Sequence, residues 1–231
     1  MGRLRLASYN VHKCLGTDGR RAPGRVLDVV NALDADVVAL QEVDRRLGPR
    51  PAALPRRLIE QQSDFVAVSD EGWGPSLGYH GNAVLLRRGI AAKEVHGMAL
   101  PGLEPRGALL GEAESAAGPF RAVAVHLGLR RSDRVLQIAA IRAALSARAE
   151  MPTVVLGDFN EWSLLKGLEG LGGYEVLAPG KSFHTLHPLG HLDRIALGHG
   201  LEAADAGVFD TALARRASDH LPVWAEVKRA A

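Results

Sequence analysis

Cysteine is nearly absent from this 231-residue chain, which contains only Cys14. One cysteine cannot form an internal disulfide, so the sequence is not that of a small disulfide-stabilised secreted domain. Aromatic residues make up 5% of the chain, and no apolar run approaches the length of a membrane span. The first residues enter an apparent strand without a charged and then apolar leader. These absences predict a cytoplasmic protein without a transmembrane segment.

Charge of one sign is not in large excess either. The formal net charge is +2, which is too small to argue for a polyanionic partner from bulk electrostatics. Lysine is rare, with 5 residues against 23 arginines. Arginine is the better phosphate clamp, but a biased genomic base composition would produce the same excess. The composition is that of an ordinary globular protein, and we expect one domain over residues 1–231 and a monomer.

Apolar, β-rich runs recur along the chain and alternate with helical patterns. Strands are predicted at residues 4–11, 36–43, 64–68, 82–88, 106–114, 120–127, 152–159, 191–197 and 221–227. Helices are predicted over 24–34 and 132–149, the second with Ser132 as its N-cap and Val135 on its apolar face, and a short helix over 163–171. This order predicts two packed β-sheets with helices on the outside.

Polar side chains stand where the apolar runs end. The series comprises Asn10, Gln41, Glu42, His126, Asp158, Asn160, Asp193, Asp219 and His220. One acidic residue after a strand is usually a turn former, but a whole series of amides, carboxylates and imidazoles is harder to explain in that way. Strand ends can bring groups from distant parts of the sequence into one rigid pocket.

The residue types also make chemical sense together. One or two carboxylates plus water suit Mg²⁺, which borrows further oxygens from a phosphate. Amides can hold phosphate oxygens without adding negative charge. An imidazole paired with a carboxylate can move a proton near neutral pH. The pattern therefore favours hydrolysis of a phosphoester.

Seven motifs occur in order between residues 8 and 222, namely SYNVH, LQEV, GNAVL, VAVHL, GDFN, LDRI and SDHLP. In this order and spacing they resemble the endonuclease/exonuclease/phosphatase superfamily, and GDFN together with SDH is the most specific part. The chain is most similar to small bacterial members of unassigned substrate. The resemblance implies an α/β fold, a four-layered sandwich of two packed mixed β-sheets flanked by helices. It also implies phosphodiester hydrolysis that depends on Mg²⁺ or Mn²⁺.

The resemblance further implies a role for each matching residue. The metal would be held by Glu42, with Asn10 and Asp219 on the metal side. The catalytic residues would be His220 as general base, Asp193 as its orienting carboxylate, Asp158 for the attacking water, and His126 on the phosphate side. The substrate phosphate would be bound by Asn10, Asn160, Asn82, Arg106 and His12.

Backbone geometry excludes the neighbouring carboxylate as the partner of His220. Adjacent residues of an extended segment point to opposite sides, so Asp219 is badly placed to orient His220. The resemblance makes Asp193 the orienting carboxylate, and we predict a hydrogen bond from His220 to Asp193. His12 lies two residues after Asn10, a spacing that puts both on one face of a strand. A contact of His12 with metal or phosphate and a purely structural role are equally compatible with that spacing. His80, beside the GNAVL motif, is predicted at the rim of the pocket.

The motifs identify the scissile phosphate and not the groups attached to it. Nucleic-acid enzymes add basic loops and apolar or aromatic wedges, and the arginine-rich segments 18–25, 44–51 and 129–134 could line an anionic groove. The short chain and its few aromatics do not favour a duplex. A nuclease, including an endonuclease, and a phospholipid or small-molecule phosphodiesterase therefore both stand. The alternative from another class is a catalytically inactive binding protein that retains the fold.

Overall fold

The structure is a computed structural model that describes residues 2–45, 48–68 and 70–230. Part of the arginine-rich segment 44–51 therefore lies outside the described residues. The strands of the described part are β1 (Arg3–Asn10), β2 (Val37–Gln41), β3 (Phe65–Val68), β4 (Ala83–Arg87), β5 (Ala91–Leu100), β6 (Arg106–Ser115), β7 (Gly118–His126), β8 (Thr153–Asp158), β9 (Glu175–Leu177), β10 (Asp193–Leu197), β11 (Leu201–Val208) and β12 (Val223–Arg229). The α-helices are α1 (Pro23–Ala32), α2 (Arg56–Gln62), α3 (Arg131–Ser146) and α4 (Ala212–Ala217).

The strands form two six-stranded mixed sheets. The first sheet has the order β11-β12-β1-β2-β4-β3, and the second has the order β5-β6-β7-β8-β10-β9. Each contains one parallel pair, β1 with β2 and β7 with β8, while its other pairs are antiparallel. A parallel pair needs a crossover, and α1 and α3 supply the two crossovers.

Three apolar clusters separate the layers. The central cluster lies between the two sheets and includes Leu6 of β1 and Leu156 of β8. A second cluster joins the outer face of the first sheet to α1 and contains Tyr9 and Val30. A third joins the outer face of the second sheet to α3. The predicted α/β sandwich of two packed mixed sheets flanked by helices is confirmed.

Several local predictions are wrong. Strands β5, β9 and β11 were not predicted, because their residues are mostly exposed or half-buried and carry no apolar alternation. Helix α3 begins at Arg131, so Ser132 lies inside its first turn and does not cap it. Its buried face contains Ile138 and Ile141, while Val135 is exposed. The helix predicted over 163–171 is only a 3-10 turn at Glu169–Leu171.

Gly157, in the GDFN motif, has a structural explanation. It pairs with Val125 of the parallel neighbour β7, and a Cβ at this position would lie 1.9 Å from the Val125 carbonyl oxygen. We expect Gly157→Ala to lower the free energy of unfolding by about 3 kcal/mol, because two central strands would have to separate. Urea unfolding measures the change. Gly24→Ala in α1 is the matched control, since nothing lies within 4 Å of its added Cβ, and a similar loss in both variants would contradict this explanation.

Candidate active site

The polar residues predicted at strand ends lie at one mouth of the sandwich, where the inter-sheet core stops. Leu4 and Leu6 of β1 face the opposite sheet, and the same alternation carries Asn10 to that face. Alternate residues of β7, β8 and β10 also pack between the sheets, and each series ends in a polar side chain, respectively His126, Asp158 and Asp193. Since β10 runs antiparallel to β8, its first residue, Asp193, is directly paired with Asp158 at the end of β8. Strand β7 runs parallel to β8, and its last residue, His126, is paired with Asp158 from the other side.

Asp158 is the hub of this mouth. Its Oδ2 accepts a hydrogen bond of 3.0 Å from the Asn10 side-chain amide and lies 3.4 Å from His126 Nε2. Its Oδ1 accepts a 2.9 Å bond from the backbone N–H of Asn160. The Asn10 bond joins the two sheets, because Asn10 ends β1 of the first sheet and Asp158 ends β8 of the second. The position of Asp158 is therefore set by both halves of the sandwich.

His220 is hydrogen-bonded to Asp193, as predicted. The Nδ1 atom of His220 lies 2.8 Å from Asp193 Oδ2, and the same oxygen accepts a 2.5 Å bond from the Ser182 hydroxyl. The other ring nitrogen, Nε2, lies 3.7 Å from Asp158 Oδ2. That separation exceeds a direct hydrogen bond and suits a water molecule held by both groups. The ring of Phe183 packs 4.8 Å from the His220 ring.

The two carboxylates control the protonation of His220. Burial alone would lower the pKa of His220, but the negative charges of Asp193 and Asp158 outweigh it and raise the pKa to about 10. Burial raises the pKa of Asp158 above its ordinary value, against the opposing effect of His220. A cationic imidazolium between two carboxylates is thus the favoured state of the metal-free site at neutral pH.

This pKa predicts a pH-dependent stability of the metal-free protein. The unfolded chain loses the His220 proton near about pH 6.5, whereas the folded protein keeps it to about pH 10. The His220 contribution is therefore complete below the unfolded pKa and is lost as pH rises toward the folded pKa. Between about pH 7 and pH 8, the free energy of unfolding should fall by about 1 kcal/mol. Urea unfolding in chelator measures this slope, and His220→Asn should remove most of it; an unchanged slope would contradict the prediction.

A cleft of about 250 Å³ opens beside the hub. Its wall includes Lys13, Glu42, His80, Arg106 and His126, so His126 belongs both to the cleft and to the Asp158 cluster. Glu42 follows β2 in a left-handed backbone conformation, with φ of 57°. Its carboxylate forms an ion pair with the Lys13 ammonium. The cleft thus combines three carboxylates, those of Glu42, Asp44 and Glu104, with several cationic or imidazole groups.

The remaining predicted phosphate ligands are placed as follows. Asn160 donates its side-chain N–H to the Leu127 carbonyl at 2.9 Å. Asn82 is buried and donates to the Gly107 carbonyl at 2.9 Å, which ties the start of β4 to β6 of the other sheet. Arg106 lies in the cleft wall and forms a 2.9 Å ion pair with Glu104. His80 lines the cleft too, with its Nδ1 3.3 Å from Arg50.

The strand geometry predicted for His12 is wrong. Strand β1 ends at Asn10, and the chain turns into a 3-10 helix at His12–Cys14 with three successive positive φ values. The His12 Nδ1 lies 3.2 Å from the Leu15 carbonyl oxygen and 3.7 Å from the carboxylate of Asp219. Asp219 also accepts a 3.3 Å bond from the Ser218 hydroxyl. His12 and Asp219 therefore form a pair of their own close to Asn10, whose carbonyl accepts a 2.7 Å bond from the Ser218 hydroxyl.

Sequence reasoning missed three residues of the mouth. Lys13 is not one of the polar residues that end the apolar runs, but its turn carries its ammonium to Glu42. Ser182 and Phe183 support the Asp193–His220 pair, and neither stands at the end of a predicted strand. Cys14 itself is buried, and burial raises the pKa of its thiol to about 12, so it is a poor nucleophile.

The donor groups at the cleft fit Mg²⁺ or Mn²⁺. Among the described residues, no three His, Cys, Asp or Glu side chains converge as ligands of one ion. Mg²⁺ does not require such a cage, because it binds through one or two carboxylates, water and substrate phosphate oxygens. Glu42 supplies a carboxylate in the cleft wall that is already paired with a cation. In the part of the chain that the structure describes, we find no helix that is both long and apolar enough to cross a membrane.

The chain is an α/β sandwich of two sheets with buried carboxylates, an amide and a His–Asp pair at its mouth. Residues 7–220 match the Endonuclease/Exonuclease/phosphatase family, and the chain belongs to that family, whose fold is one of metal-dependent phosphoesterases and nucleases. The chain is 30% identical to the "Uncharacterized protein YbhP" of Escherichia coli (strain K12), over 97% of this chain and 96% of that protein.

Two solved structures share the fold at low sequence identity. A functionally unknown conserved protein from Enterococcus faecalis V583 is 21% identical, with a TM-score of 0.79 over 98% of this chain and 100% of that chain. The TDP2 of D. rerio, solved with a single-strand DNA product, is 16% identical, with a TM-score of 0.75 over 99% of this chain and 100% of that chain. These likenesses concern the fold alone.

Proposed function

We propose that this protein is a divalent-metal-dependent phosphodiester hydrolase in which a water molecule attacks the phosphorus in line. The observation that carries the proposal is the arrangement of His220. One ring nitrogen is bound to buried Asp193 at 2.8 Å, and the other lies 3.7 Å from Asp158, beyond the reach of a direct hydrogen bond. The imidazolium favoured in the metal-free site must first lose its Nε2 proton, and the neutral ring can then accept a proton there while its Nδ1–H stays bound to a carboxylate.

Each residue of the mouth has a part in this proposal. Asp158 and His220 hold the attacking water, and His220 Nε2 accepts its proton as the water oxygen bonds to phosphorus. The opposite P–O bond breaks, and the leaving oxygen departs with the bonding electron pair and takes a proton from solvent. Asp193 fixes the ring and balances the charge of the imidazolium. His126 and Asn160 face the phosphate, and Asn10 ties Asp158 in place. Neither His220 nor Asp158 becomes covalently attached to the substrate.

Glu42 would hold the metal, with Asn10 and Asp219 nearby on the basis of the family resemblance. A bound divalent cation neutralises the negative charge that develops on the phosphate oxygens during attack. Arg106 and His80 line the same cleft and would contact the substrate phosphate or the group attached to it. Asn82 fits this role less well than Asn160, because its side-chain amide nitrogen donates to two backbone carbonyls, those of Gly107 and Tyr79.

A generic aryl phosphodiester tests the proposal without assuming a natural substrate. We expect Mg²⁺- or Mn²⁺-dependent hydrolysis of bis(p-nitrophenyl) phosphate that falls by about 100-fold or more in chelator and returns on adding metal back. The release of p-nitrophenol measures it. Activity that resists the chelator, or no turnover with either metal, would contradict the proposal, and the second result would favour a binding protein that retains the fold.

The leaving group is a separate question. The TDP2 of D. rerio was solved with single-strand DNA product, which keeps nucleic acid among the candidates, and lipid phosphodiesters are the other class. Plasmid DNA, an abasic duplex, RNA and choline- or inositol-bearing lipids should be compared under the same metal conditions. Turnover of DNA alone would identify a nuclease.

A further inference from the structure

Five large apolar side chains are exposed in two loops that flank the mouth of the sandwich. They are Trp162, Leu164, Leu165, Leu186 and Leu189, each at least 60% exposed, and Leu165 is 91% exposed. We call this set the leucine rim. Exposed leucines are ordinary when scattered singly, but a concentration beside a candidate active site indicates a binding surface.

The two loops are neighbours and are held from beneath. The Trp162 ring meets the Phe183 ring edge-on at 6.2 Å, and Gly190 lies close under the same indole. Arg194 donates to the carbonyl oxygens of Glu161 at 3.2 Å and Ser163 at 3.3 Å. These bonds fix the start of the first loop, and Leu164 and Leu165, which follow, are exposed. The rim is thus a built surface and not a loosely packed part of the core.

The rim is continuous with the candidate catalytic pair. Phe183 contacts Trp162 on one side and lies 4.8 Å from the His220 ring on the other. Any apolar group resting on the rim would therefore lie one aromatic ring away from the proposed general base. Because the rim lies this close to His220, it is better placed to bind part of the substrate than to dock another protein away from the site.

The charge around the rim has one sign. Residues 162–168 and 181–191 contain no Asp or Glu, while they carry Lys166 and Lys181. The nearest acidic residues in sequence are paired, Glu161 with Arg134, Glu169 with Arg131 and Asp193 with His220. Apolar side chains bordered by cations complement an anionic lipid surface.

We propose that the leucine rim inserts into an anionic phospholipid bilayer and presents a lipid phosphodiester to His220. The proposal rests on the proposed hydrolase function and names its substrate class. A single-stranded nucleic acid is the main competitor, but such binding sites stack bases on aromatic planes, and four of the five rim residues are leucines. Aliphatic side chains suit acyl chains and the lipid interface.

Vesicle co-sedimentation of the full chain tests the surface. The vesicles contain equal amounts of phosphatidylglycerol and phosphatidylcholine, and Leu165→Ser/Leu186→Ser removes one leucine from each loop. We expect the vesicle affinity to fall by about tenfold or more, because the variant lacks two leucine side chains that would be buried in the bilayer. The control is Val135→Ser/Leu136→Ser in α3, whose side chains are 51% and 54% exposed and lie outside both loops; it should change the affinity less than about twofold.

A soluble substrate separates this proposal from the proposed function. Hydrolysis of bis(p-nitrophenyl) phosphate should be unchanged in the rim variant, since that substrate needs no bilayer. The proposal that the rim inserts into a bilayer would be overturned if the wild-type chain did not bind vesicles, or if the rim variant bound them equally well. A loss of single-stranded oligonucleotide binding in the rim variant, with vesicle binding intact, would overturn it in favour of nucleic acid. Rim-dependent vesicle binding without any diester hydrolysis would support the surface and contradict the hydrolase.

Discussion

Replacing His220 with asparagine should lower kcat for a soluble aryl phosphodiester by about 10²- to 10⁴-fold, with a small change in KM. The asparagine amide can still donate a hydrogen bond to Asp193 from near the position of Nδ1, but it has no second nitrogen that could accept the proton of the attacking water. The substitution therefore separates support of the buried carboxylate from proton transfer. Steady-state kinetics at saturating Mg²⁺ measure the loss.

Asp193→Asn should have a smaller effect on the same reaction. The Asp193 carboxylate accepts bonds from both Ser182 and His220, and a neutral amide would keep the shape of this contact while removing the charge that stabilises imidazolium. We expect its kcat to lie between those of the wild type and His220→Asn, together with a lower pKa of His220. Proton NMR of the imidazole measures the pKa shift, which a purely structural role would not produce.

His96 offers a matched control for the His220 variant. It lies in exposed strand β5 and has its own carboxylate partner, Glu94, at 3.2 Å. His96→Asn removes an imidazole from an imidazole–carboxylate pair at the surface and should leave kcat unchanged. If His220→Asn keeps most of the activity, His220 is not the base, whatever its contact with Asp193.

The layout of the sandwich could be predicted because its central strands are buried on both faces. Buried strands such as β2 and β8 read as continuous apolar runs, and the polar residue at the end of each run marked the mouth. Edge strands do not carry this signal. Strand β5 is exposed along most of its length, so its sequence has no apolar period from which a strand could be predicted.

The His220–Asp193 bond was predictable from the sequence, whereas the position of His12 was not. The alternation of side chains along an extended segment argued against Asp219 as the partner, and the family resemblance supplied Asp193. The position of His12 depends on where β1 ends, and strand ends are set by tertiary contacts. Val11 and Lys13 donate their backbone N–H groups to the Gln41 and Glu42 carbonyls, and this pairing draws the chain into its left-handed turn beside β2. That turn also brings Lys13 to Glu42, a contact that links residues 29 positions apart.

The Lys13–Glu42 ion pair predicts that substitutions of its two residues change the affinity for Mg²⁺ in opposite directions. Glu42→Gln removes the charged oxygen that would hold Mg²⁺ and should weaken its binding by about 100-fold or more. Lys13→Met keeps the length of the apolar side chain but removes the ammonium that competes with the ion for the same carboxylate. We expect Lys13→Met to bind Mg²⁺ several-fold more tightly. Isothermal titration calorimetry measures both affinities without relying on turnover.

Because both effects pass through one carboxylate, they should not add. In the Glu42→Gln background, Lys13→Met should leave Mg²⁺ affinity almost unchanged, because the carboxylate for which the ammonium and the metal ion compete is already gone. Arg50→Met is the control for loss of a positive charge from the same cleft, and it should affect Mg²⁺ binding less than Lys13→Met. If Lys13→Met strengthens binding equally in both backgrounds, its effect is only general electrostatics. Glu42 would then lose its assignment as the metal ligand, and another carboxylate of the mouth would have to take that part.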